Sequence, residues 1–407
     1  MNTKWKKQFI TVYIGQAFSI IGSSIVQFAI IWWITLQTES AMSLTFASIA
    51  ALAPSVFFGP FAGVWVDRYN RKIVMIMADG LVALSSVGLA LAFFWMQVPP
   101  LWLIYLVLFV RGIGNTFHGP AMQAAIPTLV PAEMLTKAGG WGNLINSLSN
   151  MLGPVLGGLL MERLPIATLM TVDVVGAIFA IICLLFVTIP NVARTSDKLS
   201  VFSDMRQGLL ALKNNKPLFD YLPTGLLCNI LFNPLSALLP LFVRTHFLGE
   251  AWHNGVVRFM MATGVLISSL VLGIWGGMKK RFLMMNIGMF IIGGIAMYAS
   301  FIPPEGFWIF VVCCFLLSAT TSFVNIPLMS YMQETIAPDM LGKVLSLIST
   351  LFNLALPIGL LFAGPLSEVV GISNWFLLSG CSVIFIAIYS RRITRRHDDE
   401  TMLKVQK

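Results

Sequence analysis

The chain predicts an all-α integral membrane protein with twelve transmembrane helices in two six-helix bundles, and three observations lead there. Composition comes first. Of 407 residues, 57% are hydrophobic and 11% are charged, with a mean hydropathy of +0.84. A soluble chain of this length would fold as two or three domains with a far more charged surface. Segmentation is the second observation. A membrane helix needs ~20 consecutive apolar residues, and twelve such runs lie near 9–36, 42–66, 73–97, 101–126, 139–162, 166–189, 218–244, 255–277, 282–302, 307–332, 344–368 and 375–391. The third is that polar connections are short everywhere except 190–217, which divides the spans six and six. The expected organisation is an N-terminal bundle over 1–189, a cytoplasmic linker over 190–217, a C-terminal bundle over 218–391 and a cytoplasmic tail over 392–407.

The first run follows Lys4, Lys6 and Lys7, but it is too long for a signal-peptide core and lacks a convincing cleavage site, so it is expected to remain as a helix. Between the second and third runs stand Gly63, Asp67, Arg68, Asn70, Arg71 and Lys72. Hydrocarbon cannot hold such a cluster, so it belongs in water at a tight turn. Asn70 is expected to take the left-handed position of that turn, which asparagine tolerates. The fourth run carries Arg111 after the unbroken apolar stretch 101–110; left uncompensated there, an arginine costs ~2.5–3.5 kcal/mol on insertion scales.

Carboxylates inside spans are few. Asp79 lies about two turns into the third run and Asp173 about two turns into the sixth. Either is a candidate proton carrier, since burial disfavours the charged form; the alternative for both is a structural acid paired with a basic or hydroxyl neighbour in the N-terminal half, which for Asp79 would be Arg68 or Arg71. His118 titrates in the useful range but is expected to act as a hydrogen-bonding residue. The fifth run holds Gly153, Pro154, Gly157 and Gly158, a spacing that permits close backbone contact while proline disturbs the hydrogen-bond ladder. Gly359, Gly364 and Pro365 form a partial counterpart in the eleventh run.

Lysine and arginine decide the orientation. Of the 26, all but Arg111, Arg163, Arg244 and Arg258 fall in the termini or in loops on the same side as the termini. That excess places both ends in the cytoplasm. The net charge of +9 is then an orientation signal, and no nucleic-acid partner is expected. All five cysteines sit inside spans, so no structural disulfide is expected. No metal-ligand spacing and no Walker-type glycine-lysine loop occurs, so no metal, cofactor or direct use of ATP is expected, and no convergent reactive cluster suggests an enzyme.

The halves repeat. Residues 119–131 match 326–338 at a constant offset, with Pro120/Pro327, Met122/Met329, Thr128/Thr335 and Pro131/Pro338 shared. Polar side chains also recur every three or four residues, one face of a helix. The first span shows Gln16, Ser19, Ser23 and Gln27; the fourth Arg111, Asn115, His118 and Met122; the seventh Asn229, Asn233 and Ser236; the tenth Ser318, Ser322 and Asn325. Such stripes serve either as helix–helix glue or as the wall of a wet cavity, and their recurrence in corresponding spans favours the cavity. Gln16, Gln27, Asn115, Asn229, Asn233 and Asn325 are the polar substrate candidates, with Phe232 and Phe323 as aromatic neighbours.

Several of these motifs resemble those of the major facilitator superfamily, whose plan is two parallel six-helix repeats about an axis along the membrane normal. Gly63 with Asp67-Arg68-x-x-Arg71-Lys72 resembles its loop between helices 2 and 3, with Asn70 where glycine is usual. Gly153-Pro154-x-x-Gly157-Gly158 resembles the antiporter signature of its drug exporters, and Arg111 with Gly112 and Gly114 the helix 4 arginine motif of its proton-coupled members. Over nearly the whole chain the resemblance is to macrolide-efflux (Mef-type) drug:proton antiporters. Gln16-Ala17 and the stretches 306–314 and 374–380 add to it.

This resemblance implies proton-driven export of macrolides, small amphipathic drugs, from the bacterial cytoplasmic membrane by alternating access. Arg111, Asp173 and Asp79 would couple protons. Gly63, Asp67, Arg68, Arg71, Lys72, Gly153, Pro154, Gly157 and Gly158 would gate. The lipid bilayer is the standing partner, and an ATP-binding accessory protein is a further partner left open. An exporter of another drug or of a siderophore-like metabolite, or a proton-independent facilitator, would share the same motifs.

Overall fold

In the computed structural model the protein is described over residues 4–190 and 201–405. Its helices are α1 (Lys4–Thr38), α2 (Ala41–Arg68), α3 (Arg71–Met96), α4 (Leu101–Leu129), α5 (Leu135–Met161), α6 (Ile166–Leu185), α7 (Val201–Asn214), α8 (Lys216–Phe232), α9 (Pro234–His246), α10 (Ala251–Trp275), α11 (Arg281–Ser300), α12 (Phe307–Thr335), α13 (Pro338–Val370) and α14 (Ile372–Val405). Twelve segments among the described residues are long and apolar enough to cross a membrane, with α8 and α9 together forming the seventh. Helix is the form hydrocarbon demands, because it satisfies every backbone donor and acceptor inside one segment.

The chain forms two compact units. One comprises Met1–Thr38, Phe46–Leu199 and Glu250–Phe259; the other comprises Glu39–Thr45, Ser200–Gly249 and Met260–Lys407. In the first unit α1 lies against α6 so closely that a Cβ on Gly176 would sit 2.9 Å from the carbonyl oxygen of Phe18. In the second, α11 and α14 cross at Gly293 and Gly380, each of which would place a Cβ 2.7 Å from the other's carbonyl oxygen. Without a hydrophobic force between helices in lipid, such close packing supplies much of the attraction.

Three local features depart from the sequence expectation. Asn70 is not left-handed: its φ is −65°, and its side chain accepts from the backbone N–H of Lys72 as the N-cap of α3. Asparagine serves both roles, and the helix that begins at Arg71 decides for the cap. The 190–217 segment contains a helix, α7. It has one buried side, with Leu212 fully enclosed, and a Cβ on its Gly208 would lie 2.8 Å from the carbonyl oxygen of Lys343 on α13.

Finally, α14 continues past 391 to Val405 through the segment expected as a tail. Its charged residues are used within the second unit. Asp398 accepts from the N–H of Phe282 at 3.1 Å, satisfying an otherwise orphaned donor of the first turn of α11, and pairs with Arg391 at 2.6 Å. His397 Nε2 lies 2.9 Å from Asp220 Oδ2.

Candidate functional site

The first unit holds a buried ion pair at the depth where its spans are otherwise apolar. Arg111 on α4 is 2% exposed and Asp173 on α6 is fully buried, and they contact through Nη1 and Oδ2. Ser23 of α1 donates to Asp173 Oδ1 at 2.6 Å, and Ser86 of α3 donates to Oδ2 at 2.7 Å. Arg111 also reaches Ser86 Oγ at 2.6 Å and the carbonyl oxygen of Ser23 at 3.2 Å. One guanidinium and one carboxylate thereby tie four helices together. The first span offers no acid to the arginine, and the sixth supplies it. A buried pair is tolerable only when its lone pairs and protons are met in this way. Ser86 was not among the sequence candidates; a hydroxyl in an apolar span is a weak signal, because serine there usually bonds its own helix's carbonyls.

Asp79 forms a second, separate cluster. Gln16 Nε2 donates to its Oδ2 at 3.1 Å and Ser19 Oγ to its Oδ1 at 3.2 Å. His118 Nε2 lies 3.6 Å from Oδ1. These groups occupy the place expected of Arg68 or Arg71, so the acid has neutral amide and hydroxyl donors plus an imidazole in place of a guanidinium. Gln16 is 1% exposed and committed to Asp79, which sets it apart from a cavity-lining role. Gln27 is half-buried, and Asn115 is exposed on α4.

The charged turn is built as follows. Gly63 faces open space, Arg68 is exposed and Arg71 is buried. Asp67 lies on α2, and its side chain falls outside the described residues. Lys72 has a role the motif did not announce: its Nζ donates to the carbonyl oxygens of Leu185 at 3.1 Å and Val187 at 2.9 Å, closing the C-terminal end of α6. A cation there also meets the negative end of the helix dipole.

On α5 the glycine–proline segment is a contact surface. A Cβ on Gly153 would fall on the Ser24 side chain of α1, and one on Gly157 would lie 2.8 Å from the Phe28 ring. Gly158 faces the carbonyl oxygen of Ala251, and a Cβ on Gly255 would lie 2.8 Å from the carbonyl oxygen of Pro154. These contacts bring Glu250–Phe259 into the first unit. In the second unit Gly364 of α13 faces Thr45, and Glu368 accepts from the N–H of Met42 at 2.9 Å and from Ser40.

The second unit contains a small cavity of about 90 Å³ among α8, α11, α12 and α13, with Asn229, Phe232, Asn233 and Asn325 in its wall beside Tyr221 and Met289. It lies where the seventh span breaks. Pro234 carries no N–H and opens α9 directly after Asn233. Proline in this position also disturbs the carbonyl four residues back, that of Ile230, and this is the carbonyl that Gly359 of α13 packs against. Asn233 Nδ2 donates to Asn229 Oδ1 at 2.6 Å, and Asn229 Nδ2 to the Gly225 carbonyl at 2.9 Å. Four of the eight substrate candidates thus meet in one wall. Phe323 does not join them: a Cβ on Gly288 of α11 would lie 3.3 Å from the Phe323 Cβ, so this ring begins at a helix contact. Tyr221 and Met289 could have been found only by knowing which faces of α8 and α11 meet. Among the described residues no group of three or more His, Cys, Asp or Glu side chains is placed to hold a metal ion.

Comparison with known proteins extends these observations. The Major Facilitator Superfamily model matches residues 12–360. Macrolide efflux protein A of Streptococcus pyogenes is 38% identical over 386 residues, covering 94% of this chain and 95% of that one. Macrolide efflux protein A of Enterococcus faecalis is 36% identical over 323 residues, covering 79% and 99%. Among solved structures, a nucleoside transporter superposes with a TM-score of 0.74 at 14% identity, covering 96% of this chain and 100% of the other, which speaks to the fold alone. With twelve spans, the two compact units and a family match over most of its length, the chain belongs to the major facilitator superfamily and is a membrane transporter, not an enzyme.

Proposed function

We propose that the protein exports macrolide antibiotics across the bacterial cytoplasmic membrane in exchange for protons, by alternating access of its two six-helix bundles. The observation that carries this reading is the 38% identity to a macrolide efflux protein over 94% of the chain. The lysine and arginine distribution supports cytoplasmic termini, so drug would leave as protons enter.

Support for each part of the cycle comes from its own residues. Arg111, Asp173 and Asp79 are the membrane-embedded charges available for coupling, and all three lie in the first unit. Asn229, Phe232, Asn233 and Asn325 offer amide donors and acceptors beside an aromatic ring, the mixture that orients one edge of an amphipathic ligand against a largely apolar wall. The close glycine contacts of α5 and α13 are candidate moving surfaces, since small residues let helices slide without exchanging bulky side chains.

Macrolide accumulation in bacterial cells with and without the protein, each with and without an uncoupler, tests the reading. Lower accumulation that depends on the protein and is abolished by the uncoupler is expected. Extrusion that ignores the uncoupler would leave a facilitator, and no change in accumulation would remove the macrolide.

A further inference from the structure

We propose that Asp79 and His118 together form the proton-binding site of this transporter, with Gln16 reading its protonation state, and that Arg111–Asp173 is a permanently ionised clamp. The proposal rests on the exchange reading above and identifies the group that carries the proton within it. The two buried acids differ in what they would leave behind on discharge. Protonating Asp173 would strand Arg111, 2% exposed, in the membrane without its counter-charge. Protonating Asp79 strands nothing, because Gln16 and Ser19 are neutral.

Two buried atoms beside Asp79 lack a hydrogen-bond partner: His118 Nε2 and Gln16 Oε1. Unsatisfied buried polar atoms are uncommon, and each calls for an explanation. His118 Nε2 stands 3.6 Å from Asp79 Oδ1, beyond hydrogen-bond range. As the Nε2–H tautomer, His118 finds a partner in Oδ1 after a shift of less than ~1 Å, which leaves Oδ2 as the position for an added proton. Gln16 Oε1 needs a donor, and an ionised Asp79 offers none. Once the carboxyl carries its proton on Oδ2, a flip of the Gln16 amide lets Oε1 accept from that O–H where Nε2 had donated. The bond between α1 and α3 survives in both states with its direction reversed, so the protonation state is written into the orientation of a side chain on α1.

The step balances simply. One proton adds to the pair from water on one side, a single O–H bond forms on Asp79 Oδ2, the site gains one positive charge, and release to the other side reverses it. Depth fits as well. His118 is seven residues cytoplasmic of Arg111 on α4, about 10 Å along the helix. The His118 side chain is 14% exposed, against 2% for that of Arg111. Other charged or titratable groups on the elements around the pair are Lys4, Lys6, Lys7 and Tyr13 on α1, Arg71 and Lys72 at the start of α3, Tyr105 and Arg111 on α4, and Asp173 and Cys183 on α6.

The test uses the purified full-length protein in two experiments. In infrared difference spectra across a pH titration, the protonated-carboxyl band is expected to vanish in Asp79→Asn, to shift its midpoint in His118→Gln, and to persist in the charge-neutral double variant Arg111→Gln/Asp173→Asn. Loss of the band in the double variant, or its survival in Asp79→Asn, would overturn the proposal. His118→Gln keeps a hydrogen-bonding side chain, so the midpoint shift stays readable if Asp79→Asn proves unstable; an unmoved midpoint there excludes His118.

The second experiment uses proteoliposomes holding a radiolabelled macrolide. A pH difference of one unit sustains about a tenfold drug gradient per proton exchanged, and Asp79→Asn is expected to lose that gradient while still exchanging labelled for unlabelled drug. A gradient retained in Asp79→Asn refutes the proton site. Should the carboxyl titrate as described while no pH difference drives macrolide in the wild type, the proton site stands and the macrolide-exchange reading falls.

Discussion

The two units of this transporter bury opposite kinds of polarity. Midway along its spans the first unit holds ionisable groups: Arg111 against Asp173, and Asp79 beside His118. The second unit holds neutral amides and hydroxyls at its centre, Asn233 on Asn229 and Ser268 on Ser322 at 2.7 Å, and keeps its ion pairs at the ends of its spans: Asp220–His397, Arg391–Asp398, Arg281–Glu334 and Arg244–Glu39. Two halves with a detectable internal repeat therefore differ in the polarity they bury. Under the proposed exchange, charge suits the half assigned to protons, while neutral donors and acceptors suit the half assigned to the drug. A neutral hydrogen bond is worth ~1 kcal/mol net and can be exchanged for another, whereas stripping a buried charge of its partner costs about 3–5 kcal/mol.

The largest effect should come from breaking the charged half. Asp173→Asn leaves Arg111 without its counter-charge and is expected to cost about 3–5 kcal/mol, read as a lowered unfolding temperature of the purified protein. Arg111→Met combined with Asp173→Leu should recover most of that loss, since apolar replacement of a whole buried pair is often neutral. A single variant as stable as the wild type would show that the pair is not a clamp.

Next come the helix contacts. Gly153→Val drives a branched side chain into Ser24 and should cost about 1–3 kcal/mol, while Gly63→Ala, with nothing within 4 Å, should leave unfolding unchanged or slightly delayed. Equal behaviour of the two would remove the packing role assigned to α5.

In the neutral half, Asn233→Ala removes one donor to Asn229, and a loss near ~1 kcal/mol is expected. Its clearer signature should be a weaker apparent affinity for drug in exchange assays, with proton titration untouched. An altered proton titration would blur the division between the units. The smallest effect belongs to Lys72→Gln, which weakens the closure of α6 by about 0.3–1 kcal/mol and should appear as faster amide exchange near Leu185.

What the residues alone disclose is uneven, for identifiable reasons. Arg111 and Asp173 each stand out as charges in hydrocarbon, yet nothing local pairs them: they lie 62 positions apart, and only the rotation of α4 and α6 about their axes brings them together. Ser86 carries no signal, since a serine in a span bonds either its own helix or a neighbour with no difference in sequence. Asn70 is ambiguous because one side chain suits both a left-handed turn and an N-cap. The Asn229–Asn233 spacing, by contrast, puts both residues on one face of a helix by periodicity alone, and that face does line the cavity.

The sequence by itself determined that the chain crosses a membrane twelve times, that it is built from repeated halves, and which few charges must be accommodated in lipid. These are consequences of a solvent that admits only closed backbone hydrogen bonding and penalises every bare charge, and they act on each segment separately. Which acid meets the arginine, which meets the histidine, and which amides share a wall were decided by tertiary structure alone. Such pairings depend on helix rotation and depth fixed by packing against neighbours remote in the chain, and no local pattern encodes a distance between them.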